Sequence, residues 1–165
     1  MSKIIITAAI TGAIHIPAMS DYLPLTPEQI VEDAVKAWEA GAAIAHIHVR
    51  QREDGKPTAD VAVFKEVLGG IKSRCDLVLL PTTGGGPNQT VQEKLIPIST
   101  LKPEMCSFDP APFNLGMFEL TSRYEGKFKY DWERDYLEGT RDKILMPPTL
   151  GDDMEYARTM LAADT

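Results

Sequence analysis

The strongest constraint on this chain is an alternation. Short apolar, β-branched runs exchange with longer stretches that carry helix-start signals and a stripe of apolar residues at helical spacing. Lys3 to Ala9, which contains Ile4-Ile5-Ile6-Thr7, reads as a strand buried on both faces, as in a parallel sheet. Thr11-Gly12-Ala13 ends it, and a loop through Pro17 and Pro24 follows. Thr26 and Gln29 form a capping box around Pro27, and Ile30, Ala34, Ala37 and Trp38 make one apolar stripe that stops at Gly41. Ala43 to Val49 is the second strand. The charged loop Arg50 to Pro57 contains Asp54-Gly55, a turn signal. Asp60 caps a second helix with the stripe Val61, Phe64, Leu68 and Ile71.

Asp76 to Leu80 is the third buried strand, and it runs directly into Pro81-Thr82-Thr83-Gly84-Gly85-Gly86-Pro87. Thr90 with Glu93 is a second capping box that opens a third helix. Pro103 to Asp109 is expected to be a fourth short strand, with Cys106 packed. From 111 to 149 the pattern weakens to an elaborated loop with a short helix near Trp132 to Leu137. There Phe128, Tyr130 and Trp132 cover core or an oligomer interface. A final helix starts at Asp152 or Asp153 and runs through Leu161, with Met154, Ala157, Met160 and Leu161 expected inward.

This order specifies an α/β chain with a parallel sheet and right-handed crossovers. The polar events fall at the carboxyl ends of the strands: Thr11-Gly12, then His46 and His48, then Thr82 to Gly86, then Ser107 and Asp109. (β/α)8 barrels place their chemistry there, and a complete barrel needs about 250 residues. With 165 residues the expectation is a single domain over 1–165 holding about the first four β/α units, the N-terminal half of such a barrel, ending before a fifth strand.

Two of the three histidines lie in Ala45-His46-Ile47-His48-Val49-Arg50. On a strand, residues two apart share a face, so His46 and His48 point the same way. They are either half of a metal site, since catalytic zinc takes three protein ligands and keeps one open position, or a polar pair on a solvated face. The glycines after Thr82 and Thr83 let the backbone approach an anion at a helix start, although the pattern is neither of the common nucleotide-binding loops. They also suit a plain turn. Ser107 and Asp109 share a face by the same period, which suits a substrate contact or the capping of the turn before Pro110.

Composition narrows the partners. The net charge is −7 and no basic run is present, which argues against nucleic acid. No stretch has the length of a membrane span, and the apolar run at the N-terminus is too short for a signal segment. Cys75 and Cys106 lack metal or redox spacing and fit a reducing compartment, so the chain reads as cytoplasmic.

Ile6 to Ala13, Ala40-Gly41-Ala42 through Arg50, Thr82 to Gly85 and Lys102-Pro103-Glu104-Met105, taken in order, resemble the β-keto acid cleavage enzymes. Asp131-Trp132-Glu133-Arg134 and Leu137 to Asp142 resemble one branch of that family. The resemblance implies a (β/α)8 barrel that binds a divalent metal, usually zinc. It implies a reaction in which a β-keto acid and acetyl-CoA give acetoacetate and a new acyl-CoA. His46 and His48 match the first two metal ligands, and Thr82, Gly85, Ser107 and Asp109 match substrate-binding positions, the last being Asn in some relatives. Where the family's 3-keto-5-aminohexanoate cleavage enzymes carry an acidic residue to meet the substrate amine, this chain has Ile14, followed by His15. The third metal ligand, a glutamate, and the catalytic acid–base and arginine groups are expected beyond Thr165. The chain alone is therefore expected to be inactive, and to form a homo-oligomer or pair with a complementary C-terminal half. The competing readings are a metal-dependent barrel hydrolase, which more often carries its His-x-His on the first strand, and a non-catalytic half-barrel assembly module.

Overall fold

The computed structural model describes residues 3–84, 89–110, 116–141 and 149–165. Its centre is a parallel sheet of three strands, β1 (Thr7–Ala9), β2 (Ile44–Ile47) and β5 (Val78–Pro81), in the order β1-β2-β5. Ala9 pairs with His46, and His46 pairs with Leu80 on the other side. Between these strands run α1 (Pro27–Glu39) and α2 (Val61–Lys72). After β2 the chain turns into a short antiparallel hairpin, β3 (Val49–Arg50) with β4 (Pro57–Thr58). The remaining helices are α3 (Val91–Leu101), α4 (Thr121–Tyr124), α5 (Trp132–Glu138) and α6 (Leu150–Ala163).

The helix starts are where the capping chemistry puts them. Thr26 and Gln29 satisfy each other's backbone donors at the start of α1, and Thr90 and Glu93 do the same for α3. Asp60 accepts the Ala62 amide at the start of α2. The main core lies where α1 and α2 cover one face of the sheet. Ile30, Ala34 and Val35 meet Phe64, Val67 and Ile71 over Ala45, Ile47, Leu77 and Leu79. Because side chains alternate along β2, burying Ala45 and Ile47 against the helices turns His46 to the other face. A second, smaller core of Ile16, Met117 and Leu137 joins the loop after β1 to α5.

Several expectations change, among them the second strand, which ends at Ile47 and breaks at His48 before Val49–Arg50 joins the hairpin. The first strand is shorter than Lys3 to Ala9, and Ile4, Ile5 and Ile6 are exposed rather than buried on both faces. They lead into the edge strand of the sheet, and no described element covers them. Pro103 to Asp109 does not form a fourth strand. Its one backbone bond to the sheet runs from the Ser107 amide to the Pro81 carbonyl, and prolines bound the segment at both ends. Among the described residues the parallel sheet therefore has three strands. Trp38 is 40% exposed, because Val35 fills the place on α1 expected for it. On α6 the buried side chains are Tyr156 and Ala163, while Met154, Ala157 and Leu161 are exposed. That helix begins at Leu150 rather than at Asp152 or Asp153, because Thr149 is its N-cap and forms a third capping box with Asp152. Its covered face is set by docking on α3, where the Gln92 amide donates to Glu155 at 2.7 Å.

These assignments predict unequal costs. Ile47→Ala should lower the unfolding free energy by about 2–5 kcal/mol through lost burial and a residual cavity. Leu161→Ala, at a position 81% exposed, should change it by no more than about 0.5 kcal/mol. Urea denaturation of the two variants measures both values.

Candidate functional site

The two histidines meet. His46 is the last β2 residue paired to β1, Ile47 still pairs with Pro81 of β5, and His48 follows at the bend into β3. Their Nε2 atoms are 3.0 Å apart, and the rings stand at 86° to each other. The Thr11 hydroxyl donates to the His48 carbonyl at 3.2 Å and ties the loop after β1 to this bend. Burial lowers the proton affinity of both rings. For His46 the charge of Asp109 and a backbone hydrogen bond oppose that effect. For His48 the neighbouring His46 and Arg50 reinforce it, and the pKa falls to about 3. Both rings are therefore neutral near pH 7; without a metal one Nε2–H donates to the other Nε2, and moving that proton to Nδ1 frees both Nε2 lone pairs for a metal. Two nitrogens 3.0 Å apart are both within reach of one zinc ion bound at about 2.0–2.1 Å. Among the described residues no third His, Cys, Asp or Glu completes a metal group with them.

The loop after β5 supplies the next side. The Thr82 hydroxyl oxygen accepts the Gly84 amide at 2.8 Å. The Thr83 amide donates to the Ser107 hydroxyl oxygen, and the Thr83 hydroxyl donates to the Ser107 carbonyl, each at 2.8 Å. This side-chain clamp holds 103–109 beside β5 in place of a strand ladder. Gly84 lets Asp109 in. A Cβ there would lie 3.2 Å from the Thr82 Oγ1 and 3.3 Å from the Asp109 Oδ2. Thr82, Ser107 and Asp109 are thus brought together at the carboxyl ends of the strands, on the side of His46 and His48. Gly85 lies outside the described residues. Ile14 packs against the second core, and His15 is exposed.

Three side chains at this end were not singled out from sequence. Lys94 on α3 is 3% exposed, and it lines a narrow cavity of about 10 Å³ with His48, Thr82 and Gly84. Burial lowers its proton affinity, and the charge of Asp109 opposes that. Its signal was available, since Lys94 lies one turn before Ile98 and next to Leu95 on the buried face of α3. Tyr156 of α6 packs against Phe108 with ring centroids 5.5 Å apart, and burial pushes its pKa up to about 12. Arg50 is fully buried. A larger cleft, about 720 Å³, lies beside α1 and includes Asp21, Glu28, Glu32 and Arg74. It holds no histidine, and Glu28 and Glu32 there pair with Arg52 and Arg74.

Comparison with known proteins agrees with the resemblance. Residues 3–163 match the family described as beta-keto acid cleavage enzyme. The chain is 47% identical over 162 residues to the 3,5-dioxohexanoate:acetyl-CoA acetone transferase of Paraburkholderia graminis, covering 98% of this chain and 51% of that protein. It is 43% identical over 121 residues to the 3-keto-5-aminohexanoate cleavage enzyme of Acetoanaerobium sticklandii, covering 73% of this chain and 44% of that one. The chain thus spans about half the length of the curated relatives it matches. Its fold is similar to that of ObcA in a ternary complex with a C4-CoA adduct and oxalate, with a TM-score of 0.51 at 18% identity. That match covers 73% of this chain and 36% of the solved one. No helix among the described residues is long and apolar enough to cross a membrane.

The low proton affinity of His48 gives a pH prediction for the metal-free chain. The unfolded imidazole takes up its proton near the ordinary value of 6.5, whereas the folded one does so only near 3. Between these values the unfolded state binds more protons, so stability falls as pH drops from about 6.5 towards 3. From pH 7 to pH 5 the contribution is on the order of 1–2 kcal/mol. Urea unfolding with a chelator present should show a shallower loss over that interval in His48→Gln than in the wild type.

Proposed function

The chain belongs to the beta-keto acid cleavage enzyme family, and from that premise we propose that it carries the metal pair and part of the substrate site of an acetyl-CoA-dependent β-keto acid cleavage enzyme. In this reading a β-keto acid and acetyl-CoA exchange to give acetoacetate and a new acyl-CoA. The carrying observation is the approach of the His46 and His48 Nε2 atoms to 3.0 Å. As a single domain, 1–165 would contribute about the first four β/α units of a (β/α)8 barrel, the segment from Pro103 to Asp109 standing in the place of the fourth strand. The family match favours neither the barrel hydrolase nor the assembly module.

His46 and His48 would hold the divalent metal, zinc in the first instance, as neutral imidazoles. A bound zinc ion supplies Lewis-acid polarisation of a carbonyl oxygen. The chain's own residues do the rest of what falls to this half. The Thr82 and Ser107 hydroxyls can each donate to a substrate carboxylate. Gly85, next in sequence to Gly84, is assigned to the same substrate site by its match to the family position alone. Lys94, buried beside Thr82, offsets the charge that Asp109 would otherwise set against an anionic substrate. Acetyl-CoA would be the co-substrate. The third metal ligand and the proton-handling groups are assigned to no described residue.

Ile14 bears on which acid is taken. A substrate ammonium buried at an aliphatic side chain would lose its hydration without a partner, which is costly. The relative at 47% identity is named for 3,5-dioxohexanoate, which has no amine. A β-keto acid without an amino group is therefore the proposed substrate class.

Two experiments test this reading. Isothermal titration with zinc should show binding to the wild-type chain, weaker than at a three-ligand site. Affinity should fall at least about tenfold in His46→Ala and in His48→Ala. Equal, negligible binding in all three chains would remove the metal pair. In an active full-length form, kcat/KM for 3,5-dioxohexanoate should exceed that for 5-amino-3-oxohexanoate, and the reverse order would overturn the role given to Ile14.

A further inference from the structure

Arg50 closes the histidine motif and has no part in the proposed reaction. On an unbroken strand it would share a face with His46 and His48, but the bend after Ile47 carries it inward instead. Its side chain is fully buried, and among the described residues it has no carboxylate partner. A guanidinium in that position is kept only where hydrogen bonds replace its water. It has three, all to backbone carbonyls and all 2.8 Å long. One nitrogen donates to Gly55, and the other donates to Gly12 and to His15.

These carbonyls belong to two separate loops, the one after β1 and the hairpin turn between β3 and β4. Gly12 and Gly55 both have positive φ, +70° and +68°, where a side chain would be strained. Each loop is also held by α5. The Tyr136 hydroxyl donates to the Ala13 carbonyl at 2.8 Å, and the Trp132 indole donates to the Asp54 carbonyl at 3.2 Å. His48 sits between the two loops, its own carbonyl taken by Thr11 at the start of the first.

We propose that Arg50 is a positioning residue for the histidine pair, its planar fork locking the loop after β1 to the β3–β4 turn so that His48 is held against His46. Lysine cannot substitute, because one ammonium is a point donor while three carbonyls in two loops need a fork. The functional part rests on the reading of His46 and His48 as a metal pair, and the loop-locking part stands without it.

Hydrogen–deuterium exchange read by mass spectrometry tests the locking on the metal-free chain. In Arg50→Met and Arg50→Lys, uptake should accelerate at least tenfold over 10–16 and 51–57 and stay unchanged over α1. Millimolar guanidinium should slow exchange again in both loops of Arg50→Ala, while equal urea should not. If the Arg50 variants fail to fold, Tyr136→Phe should loosen only 10–16 and Trp132→Phe only 51–57. Zinc titration then tests positioning, with affinity at least tenfold weaker in Arg50→Met. The proposal is overturned by unchanged exchange in both loops, by full rescue in Arg50→Lys, or by loosened loops with zinc affinity untouched. The exchange arm needs no metal, so a failure of the metal reading is told apart from a failure of the locking.

Discussion

Everything at the candidate site depends on the register of β2. This strand is paired on both sides, to β1 and to β5, and it buries Ala45 and Ile47 under α1 and α2. A slip of one residue would send His46 into the apolar layer and bring Ile47 out, so the core itself specifies where the imidazole points. The same pairing fixes the level at which the loops after β1 and β5 leave the sheet. Thr11 and Thr82 therefore arrive beside His48 as a consequence of core packing, before any ligand is considered.

The electrostatics of this end differ from those of the whole molecule. The chain carries a net charge of −7, yet two of its cations, Arg50 and Lys94, are buried next to the histidines. Arg50 is balanced by carbonyl dipoles, and Lys94 lies within the field of Asp109. Low-dielectric surroundings strengthen the influence of each charge. Buried cations in an acidic chain suit this end to attract an acid, while burial, joined at His48 by the charge of Arg50, keeps the imidazoles neutral.

What could be read from sequence was what local physics decides. The capping boxes at Thr26 and Thr90 involve only four residues each, and the sharing of a face by His46 and His48 follows from strand pleating. What could not be read was decided by tertiary partners. Pro103 to Asp109 looks like a strand by composition, but Thr83 holds Ser107 through side chains and the ladder never forms. The stripe expected on α6 had the right residue types on the wrong face, since α3 and Phe108 select Tyr156. Arg50 looked like the first residue of a charged loop, and its burial is recognised only when the loops that cover it are in place.

The central claim is that His46 and His48 bind one metal ion together. X-ray absorption at the zinc edge of the loaded chain tests it most directly. The account predicts a first shell of nitrogen and oxygen at about 2.0–2.1 Å with the outer-shell scattering of two imidazoles, reduced to one in His46→Ala. A sulfur shell at about 2.3 Å, which would implicate Cys75 or Cys106, or a spectrum without imidazole scattering, would contradict it.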